Sequence, residues 1–65
     1  MKQEAELTKT ERMYIAKIKE NGWMSVSSID SLVWRKRQIL DGLVLSGNLV
    51  KYQATPSYDG YRMAK

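Results

Sequence analysis

The hydrophobic pattern at the start of the chain predicts an amphipathic helix. Thr8 and Glu11 have the spacing of a capping box, in which a hydroxyl and a carboxylate satisfy the free amide groups of a helix start. Asn21-Gly22 supplies a left-handed stop. Between these signals the apolar residues recur at helical spacing, and with the residue just before them they are Leu7, Tyr14, Ile15 and Ile18. We therefore expect a first helix from about residue 8 to residue 21, after a solvated lead-in of residues 1–6.

Two more helices are expected in the middle of the chain. Ser25 can cap a short helix that runs to about Leu32, with Ile29 and Leu32 as its core contacts. Its serines are poor helix formers, so neighbouring elements must hold it in place. The third helix runs from about residue 34 to residue 46, and Gly47 is placed to end it. Its apolar face consists of Ile39, Leu40, Leu43 and Val44, extended by the alkyl stem of Lys36.

The last part of the chain has the composition of β-strands. Residues 49–53 and 61–64 are β-prone, and the segment 54–60 contains Pro, Ser, Asp and Gly. This pattern predicts a hairpin with a flap of about seven residues. Trp23-Met24 is long enough only for a single extended bridge. The predicted fold class is therefore α+β, with three helices followed by a two-stranded hairpin in one domain from residue 7 to residue 65.

This order of elements resembles the winged helix-turn-helix superfamily over about residues 7–64. The stretch Ile39-Leu40-Asp41-Gly42-Leu43-Val44-Leu45-Ser46-Gly47-Asn48-Leu49-Val50 is similar to the third helix of that superfamily, with paired aliphatic residues and a glycine before the first hairpin strand. The resemblance implies that the hairpin is a wing that lies on the DNA phosphates. It also implies that the third helix enters the major groove of double-stranded DNA.

The distribution of charge suits a polyanionic partner. The net charge is +4. Residues 1–33 carry five Lys or Arg and five Asp or Glu, whereas residues 34–65 carry six and two. All of the positive excess therefore lies in the half that contains the third helix and the hairpin.

The first turns of the third helix hold the strongest candidates for DNA contact. Arg35, Lys36, Arg37 and Gln38 are consecutive, and Asp41 follows one turn later. Arg pairs naturally with guanine and Gln with adenine, each at about 1–3 kcal/mol of discrimination. Asp41 either accepts a hydrogen bond from cytosine or restrains a neighbouring arginine, and we favour restraint. The alternative for the whole segment is an ordinary solvated basic turn.

The hairpin offers a second set of contacts, which would position the domain on phosphates without reading sequence. The alternative for its tip is a flexible polar loop. Among the candidates Arg62 and Lys51 are stronger than Tyr58. The full set is Lys51, Thr55, Ser57, Tyr58, Arg62 and Lys65.

Two apolar residues of the third helix favour a different function. Leu45 lies opposite Leu43 on the helix, so either burial is wide or a partner covers it. Trp23 and Trp34 are expected mainly to pack as core or rim residues. A protein-binding module that acts on a larger nucleic-acid machine, docking through Trp34 and Leu45, is therefore the second hypothesis.

One structural feature would discriminate between these hypotheses. A continuous electropositive face through Arg35, Arg37, Lys51 and Arg62 would favour DNA, and an apolar patch that interrupts it would favour a protein partner. An RNA-binding domain is a third hypothesis, weakened because the sequence lacks the aromatic sheet motif of common RNA modules.

Other functions are disfavoured by what the chain lacks. It has no Cys and no His, which removes disulfides, thiolate zinc sites and the usual acid-base group. Its acidic residues form no recognisable pair and it has no Gly-rich phosphate loop. We expect no catalysis, no metal, no cofactor and no small-molecule effector.

Size and hydropathy complete the expected function. No apolar run approaches the roughly 20 residues that span a bilayer, so the expected location is the cytoplasm or the nucleoid. A single DNA-binding module buries only about 600–1,000 Å² on DNA, which favours a homodimer or a cooperative array. The chain is therefore expected to be a small transcriptional regulator of prokaryotic, phage or plasmid type.

Overall fold

The computed structural model describes residues 1–64 and contains helices on one side of a three-stranded antiparallel sheet. The chain is α+β, but the predicted arrangement of three helices followed by a two-stranded hairpin is wrong: within the described residues there are two α-helices and three strands. The elements are α1 (Lys9–Asn21), β1 (Met24–Ser27), α2 (Trp34–Leu45), β2 (Leu49–Thr55) and β3 (Tyr58–Met63), with 3-10 turns at Glu4–Glu6 and Ser31–Val33.

Helix α1 begins and ends at the predicted signals. Thr8 Oγ1 accepts from the Glu11 amide at 3.1 Å, and Glu11 Oε1 accepts from the Thr8 amide at 2.9 Å. The hydrogen bond from the Thr8 backbone, supported by nearby Lys2, holds the pKa of Glu11 below its usual range. Gly22 ends the helix with φ +87°. The capping box and the left-handed stop are confirmed, because both depend only on neighbouring residues.

The predicted second helix does not form. Its first residues belong to β1, where Ser25 pairs with Gly60 and Ser27 pairs with Tyr58 of β3. Ser27 Oγ then accepts from the amides of Ile29 and Asp30, which turns the chain away from the strand. Serine competes for backbone hydrogen bonds and so disfavours a helix, whereas pairing with β3 gives hydrogen-bond partners to the backbone groups on one edge of β1. Ile29 and Leu32, expected in the core, are 79% and 89% exposed.

The hairpin is tighter than expected. Strands β2 and β3 extend to Thr55 and Tyr58, so the connection is Pro56-Ser57 rather than a flap of about seven residues. One irregularity between Gln53 and Thr55 interrupts the register. The sheet order is β1-β3-β2, which places β3 at the centre. The predicted loop residues next to Gly60 are strand residues because β3 is paired on both sides.

Both α-helices pack on the same face of the sheet and enclose one core. Strand alternation turns the side chains of Val26, Leu49 and Tyr61 toward the helices. Leu40 and Leu43 of α2 are buried, as its predicted apolar face requires. The whole buried cluster comprises Leu7, Ile15, Ile18, Val26, Leu40, Leu43, Leu49 and Tyr61.

The first residues are mostly exposed but are tied to the junction of α2 and β2. The buried Asn48 side chain accepts from the Lys2 amide at 3.1 Å and donates to the Lys2 carbonyl at 3.0 Å. Asn48 Oδ1 also accepts from Ser46 Oγ.

Neither α1 nor α2, nor any other helix within residues 1–64, is long and apolar enough to cross a membrane.

Candidate nucleic-acid interface

Helix α2 turns one face away from the core. On a helical projection this face lies opposite Leu40 and Leu43, and all of its side chains are exposed. At its middle, a Cβ added to Gly42 would meet nothing within 4 Å. We call this surface the outward face of α2; it consists of Trp34, Arg35, Gln38, Gly42 and Leu45.

The charges of α2 run against its dipole. Helix α1 has charges of both signs at each end: Lys9, Glu11 and Arg12 at its start, and Lys19 and Glu20 at its end. Helix α2 begins with Arg35, Lys36 and Arg37 and has no acidic residue in its first turn. Cations at the positive end of a helix cost about 0.3–1 kcal/mol each at exposed sites. Residue Val33, the N-cap of α2, makes no side-chain capping bond. This end of α2 is therefore suited to an anion.

Arg35 is held in position by its neighbour. Its guanidinium carbon lies 5.5 Å from the centroid of the Trp34 ring, a cation–π contact worth about 0.5–1 kcal/mol at an exposed site. Arg35 forms no salt bridge with any carboxylate in residues 1–64. The cation is thus exposed and its charge is not neutralised locally.

Lys36 and Arg37 are partly buried rather than free on the surface. Arg37 Nη1 makes a long hydrogen bond of 3.4 Å to the Ser28 carbonyl, and its buried Nε has no partner within residues 1–64. The Ser28 amide donates to the Ser57 carbonyl at 2.8 Å. Ser28 therefore ties the hairpin turn to the N-terminal half of α2, and Arg37 is an anchor within that junction.

Asp41 and Lys51 belong to a polar network between α2 and the sheet. Asp41 Oδ1 accepts from the Tyr61 hydroxyl at 2.6 Å and lies 3.2 Å from Lys51 Nζ. Asp59 lies 3.7 Å from the same ammonium group. Burial, together with the hydrogen bond to Asp41, raises the pKa of the Tyr61 hydroxyl well above its usual range. Asp41 thus restrains a lysine and a tyrosine, whereas the sequence suggested an arginine.

The remaining hairpin candidates lie on the opposite side of the sheet. Lys51 pairs with Tyr61 and points toward the helices, whereas Val50 pairs with Arg62 and both point away. We call the side away from the helices the outer sheet face; its strand positions are Ser25, Ser27, Val50, Tyr52, Thr55, Tyr58, Gly60 and Arg62. Ser57 is in the turn, and Lys65 is outside the described residues. Lys51 and Arg62 therefore do not share a surface.

The four cations proposed as a discriminating feature do not form one continuous face. Arg35 is exposed on α2, Arg37 is anchored at Ser28, and Lys51 and Arg62 lie on opposite faces of the sheet. The outward face of α2 also contains exposed apolar groups, and others precede the helix. These exposed apolar residues are Ile29, Leu32, Trp34 and Leu45.

Sequence reasoning missed two features that the structure places on or beside the outer sheet face. Tyr52 lies across Gly60, since a Cβ at Gly60 would be 2.6 Å from Tyr52 Cε2. Trp23, expected to pack, is half exposed. Because Lys51 and Tyr52 are neighbours on one strand, the sequence could have predicted that they point to opposite faces of the sheet. The extent of the outer sheet face became clear only once β1 was known to be a strand.

Within residues 1–64 no three or more Cys, His, Asp or Glu side chains lie close enough to hold a metal ion. Searches of protein-family models, curated proteins and solved structures find no match to this chain.

Proposed function

We propose that this protein binds double-stranded DNA through the outward face of α2. The observation that carries the proposal is the run of three cations at the start of α2 with no acidic residue in that turn, whereas the first turn of α1 also contains Glu11. Three cations at the positive end of a helix lower its stability, because they repel the helix dipole. The same cations and the same end of the dipole attract the phosphates of a DNA backbone. Arg35 and Gln38 are the side chains that are both exposed and of the right type to pair with base edges.

The hairpin supplies a smaller part of this interface than the sequence indicated. Ser28 holds the turn beside the first turns of α2, so Ser57 is the hairpin residue best placed for phosphates on that side. Lys51 contributes little, because two carboxylates already face its ammonium group. The chain would act in the cytoplasm or on the nucleoid, as a small regulator or an architectural protein.

The proposal is tested by comparing two arginines of equal charge on the two helices. Arg35 and Arg12 are both exposed helical residues without a salt bridge inside residues 1–64. We expect Arg35→Ala to weaken binding of a labelled mixed-sequence duplex about 5- to 30-fold in fluorescence anisotropy at low salt. This corresponds to the loss of one or two charge-assisted contacts, at about 1–2 kcal/mol.

Arg12→Ala is the matched control and is expected to change the affinity less than twofold. Arg35→Ala is preferable to Arg37→Ala because Arg37 also supports the Ser28 junction. Equal effects of the Arg35 and Arg12 changes would mean that only net charge matters, and the α2 interface would then be wrong. Absence of binding at low salt would remove the proposal entirely.

A protein-binding function is the second candidate, and two observations favour it: the four cations do not form one continuous face, and two leucines are almost fully exposed. Leu45 and Leu32 are 90% and 89% exposed, which is unusual for leucine in a domain with so little core. Leu32 lies just before α2 and Leu45 is its last residue, and both would suit a second copy of the chain, as a DNA-binding homodimer requires. Leu32→Ser with Leu45→Ser should abolish any concentration-dependent dimer in sedimentation while leaving Arg35 accessible.

A further inference from the structure

The outer sheet face is aromatic, basic and free of acidic side chains. Its strand positions include Tyr52 and Tyr58, which are 38% and 47% exposed, together with Arg62. Trp23 directly precedes β1 and is 50% exposed. The side chain of Met24 packs on the core, so an alternation continued by one residue would turn Trp23 to the outer side. Two partly exposed tyrosine rings therefore share one side of a short sheet, and Trp23 lies at its edge.

The ring of Tyr52 is laid against the sheet. The Cβ position of Gly60 would be 2.6 Å from Tyr52 Cε2 and 2.7 Å from its hydroxyl oxygen, so only a glycine leaves room for the ring there. The guanidinium carbon of Arg62 is 6.0 Å from the ring centroid. One side of the ring is thus supported by the strand, with a cation beside it.

The charges of the sheet are divided between its two faces. Asp59 is the acidic residue of the strands, and it points toward the helices, where it faces Lys51. Arg62 forms no salt bridge with a carboxylate of residues 1–64. An uncompensated cation among aromatic rings complements a polyanion that also has flat aromatic groups.

The composition of this face also distinguishes its partner from that of α2. The exposed apolar residues around α2 are mainly aliphatic, as protein interfaces can be, whereas this face has only Val50 as an aliphatic strand position. Bases stack on aromatic side chains at about 1–3 kcal/mol each, while nearby cations hold the backbone.

We infer that the outer sheet face binds single-stranded DNA, with bases stacked on Trp23, Tyr52 and Tyr58 and a phosphate at Arg62. The choice of DNA over RNA rests on the proposed function of α2. The inference that this face stacks bases rests only on the residues of the face itself. Since the outer sheet face and the outward face of α2 are different surfaces, the domain can hold a duplex and a displaced strand separately.

Intrinsic fluorescence tests this inference, because the two tryptophans lie on the two different surfaces. Trp34→Phe leaves Trp23 as the sole tryptophan, and Trp23→Phe leaves Trp34. We expect a 12-nucleotide oligothymidine to quench Trp23 in a saturable manner at low salt and to leave Trp34 within a few per cent of its starting signal.

Substitutions on the Trp34→Phe background, which keeps Trp23, locate the binding site for oligothymidine. Tyr58→Ser and Arg62→Gln should each weaken oligothymidine binding about fivefold or more, the lower end of what the loss of one stacked base costs. Arg12→Ala, which removes an exposed cation on α1 outside both surfaces, should stay within twofold. All of these positions lie outside the buried core, and thermal melts by circular dichroism establish that each variant is folded.

Three results would overturn or reassign the inference that the outer sheet face binds single-stranded DNA. Lack of Trp23 quenching, or quenching that ignores Tyr58→Ser and Arg62→Gln, would mean that the face does not stack bases. Tighter binding of oligouridine RNA by tenfold would assign the face to RNA. Duplex affinity measured with Arg35→Ala reports on the proposed function independently, so the two failures remain distinguishable.

Discussion

Asp41 illustrates how a residue's role is set by what its side chain reaches. On the helix it follows the basic turn and lies near the outward face, where a carboxylate would repel phosphates. The structure instead joins it to Tyr61 and Lys51. The Tyr61 ring also lies below the Lys51 ammonium group, 5.7 Å from it. The carboxylate is thus neutralised, and the repulsion expected from it on DNA is reduced.

Removal of the Tyr61 hydroxyl tests how much the hydrogen bond to Asp41 contributes to the free energy of unfolding. We expect Tyr61→Phe to lower the free energy of unfolding by about 1–2 kcal/mol at pH 7, because a hydrogen bond to a charged acceptor is lost at a partly exposed site. Urea denaturation followed by circular dichroism measures it.

The pH dependence of that difference has a definite sign. Burial and Asp41 raise the pKa of Tyr61 above its ordinary value of 10.0. The stabilisation is therefore fully present below pH 10 and is lost as the pH rises above it, where the unfolded chain releases its proton first. The gap between the wild type and Tyr61→Phe should narrow at alkaline pH. A gap that widens there would contradict the account.

Single residues were predictable where their environment was local. Thr8, Glu11 and Gly22 act within one helical turn, and each does what the sequence indicated. Asn48 could not have been identified, because its partner Lys2 is 46 positions away. Leu45 was recognised as an outlier, and its 90% exposure excludes the wide burial that was one of its two explanations.

At the scale of elements, α2 was placed within one residue and β1 was missed. Periodicity and a following glycine define α2 without help from the rest of the chain. Strand β1 depends on Tyr58 and Gly60 of β3, more than thirty positions later, and its serines carry no local strand signal. Without β1 the predicted sheet had two strands and no definable outer face.

Two glycines with equally open surroundings test the account of the helices. A Cβ at Gly42 or at Gly22 would meet nothing within 4 Å, but only Gly22 has a left-handed φ, +87°. We expect Gly42→Ala to raise the free energy of unfolding by about 0.5–1 kcal/mol, because alanine is the better helix former.

Gly22→Ala should lower the free energy of unfolding by about 1–2 kcal/mol, because the same methyl group is strained in the left-handed region. Chemical denaturation of both variants under one set of conditions gives the comparison. Destabilisation by Gly42→Ala would contradict this account, because it would mean that the added methyl group meets a neighbouring group, whereas the structure has none within 4 Å.

At the scale of the whole molecule, the candidate residues separate into three surfaces. Arg35 and Gln38 lie on the outward face of α2, Lys51 lies at the helix side of the sheet beside Asp41, and Arg62 lies on the outer sheet face. The sequence indicates Lys51 and Arg62 together as hairpin contacts and leaves open whether they share a face with Arg35, because it does not reveal the strand pairing. Strand alternation, together with the third strand, divides them. The resemblance to the winged helix-turn-helix superfamily stays a prediction.

The central claim is that duplex DNA contacts the outward face of α2. Titration of the ¹⁵N-labelled protein with a short mixed-sequence duplex at low salt, followed by amide chemical shifts, tests it most directly. We expect the largest shifts at Arg35, Gln38 and Gly42, with little change at Lys9 and Lys17 of α1. Shifts spread evenly over the cations of both helices, or none at all, would contradict the claim.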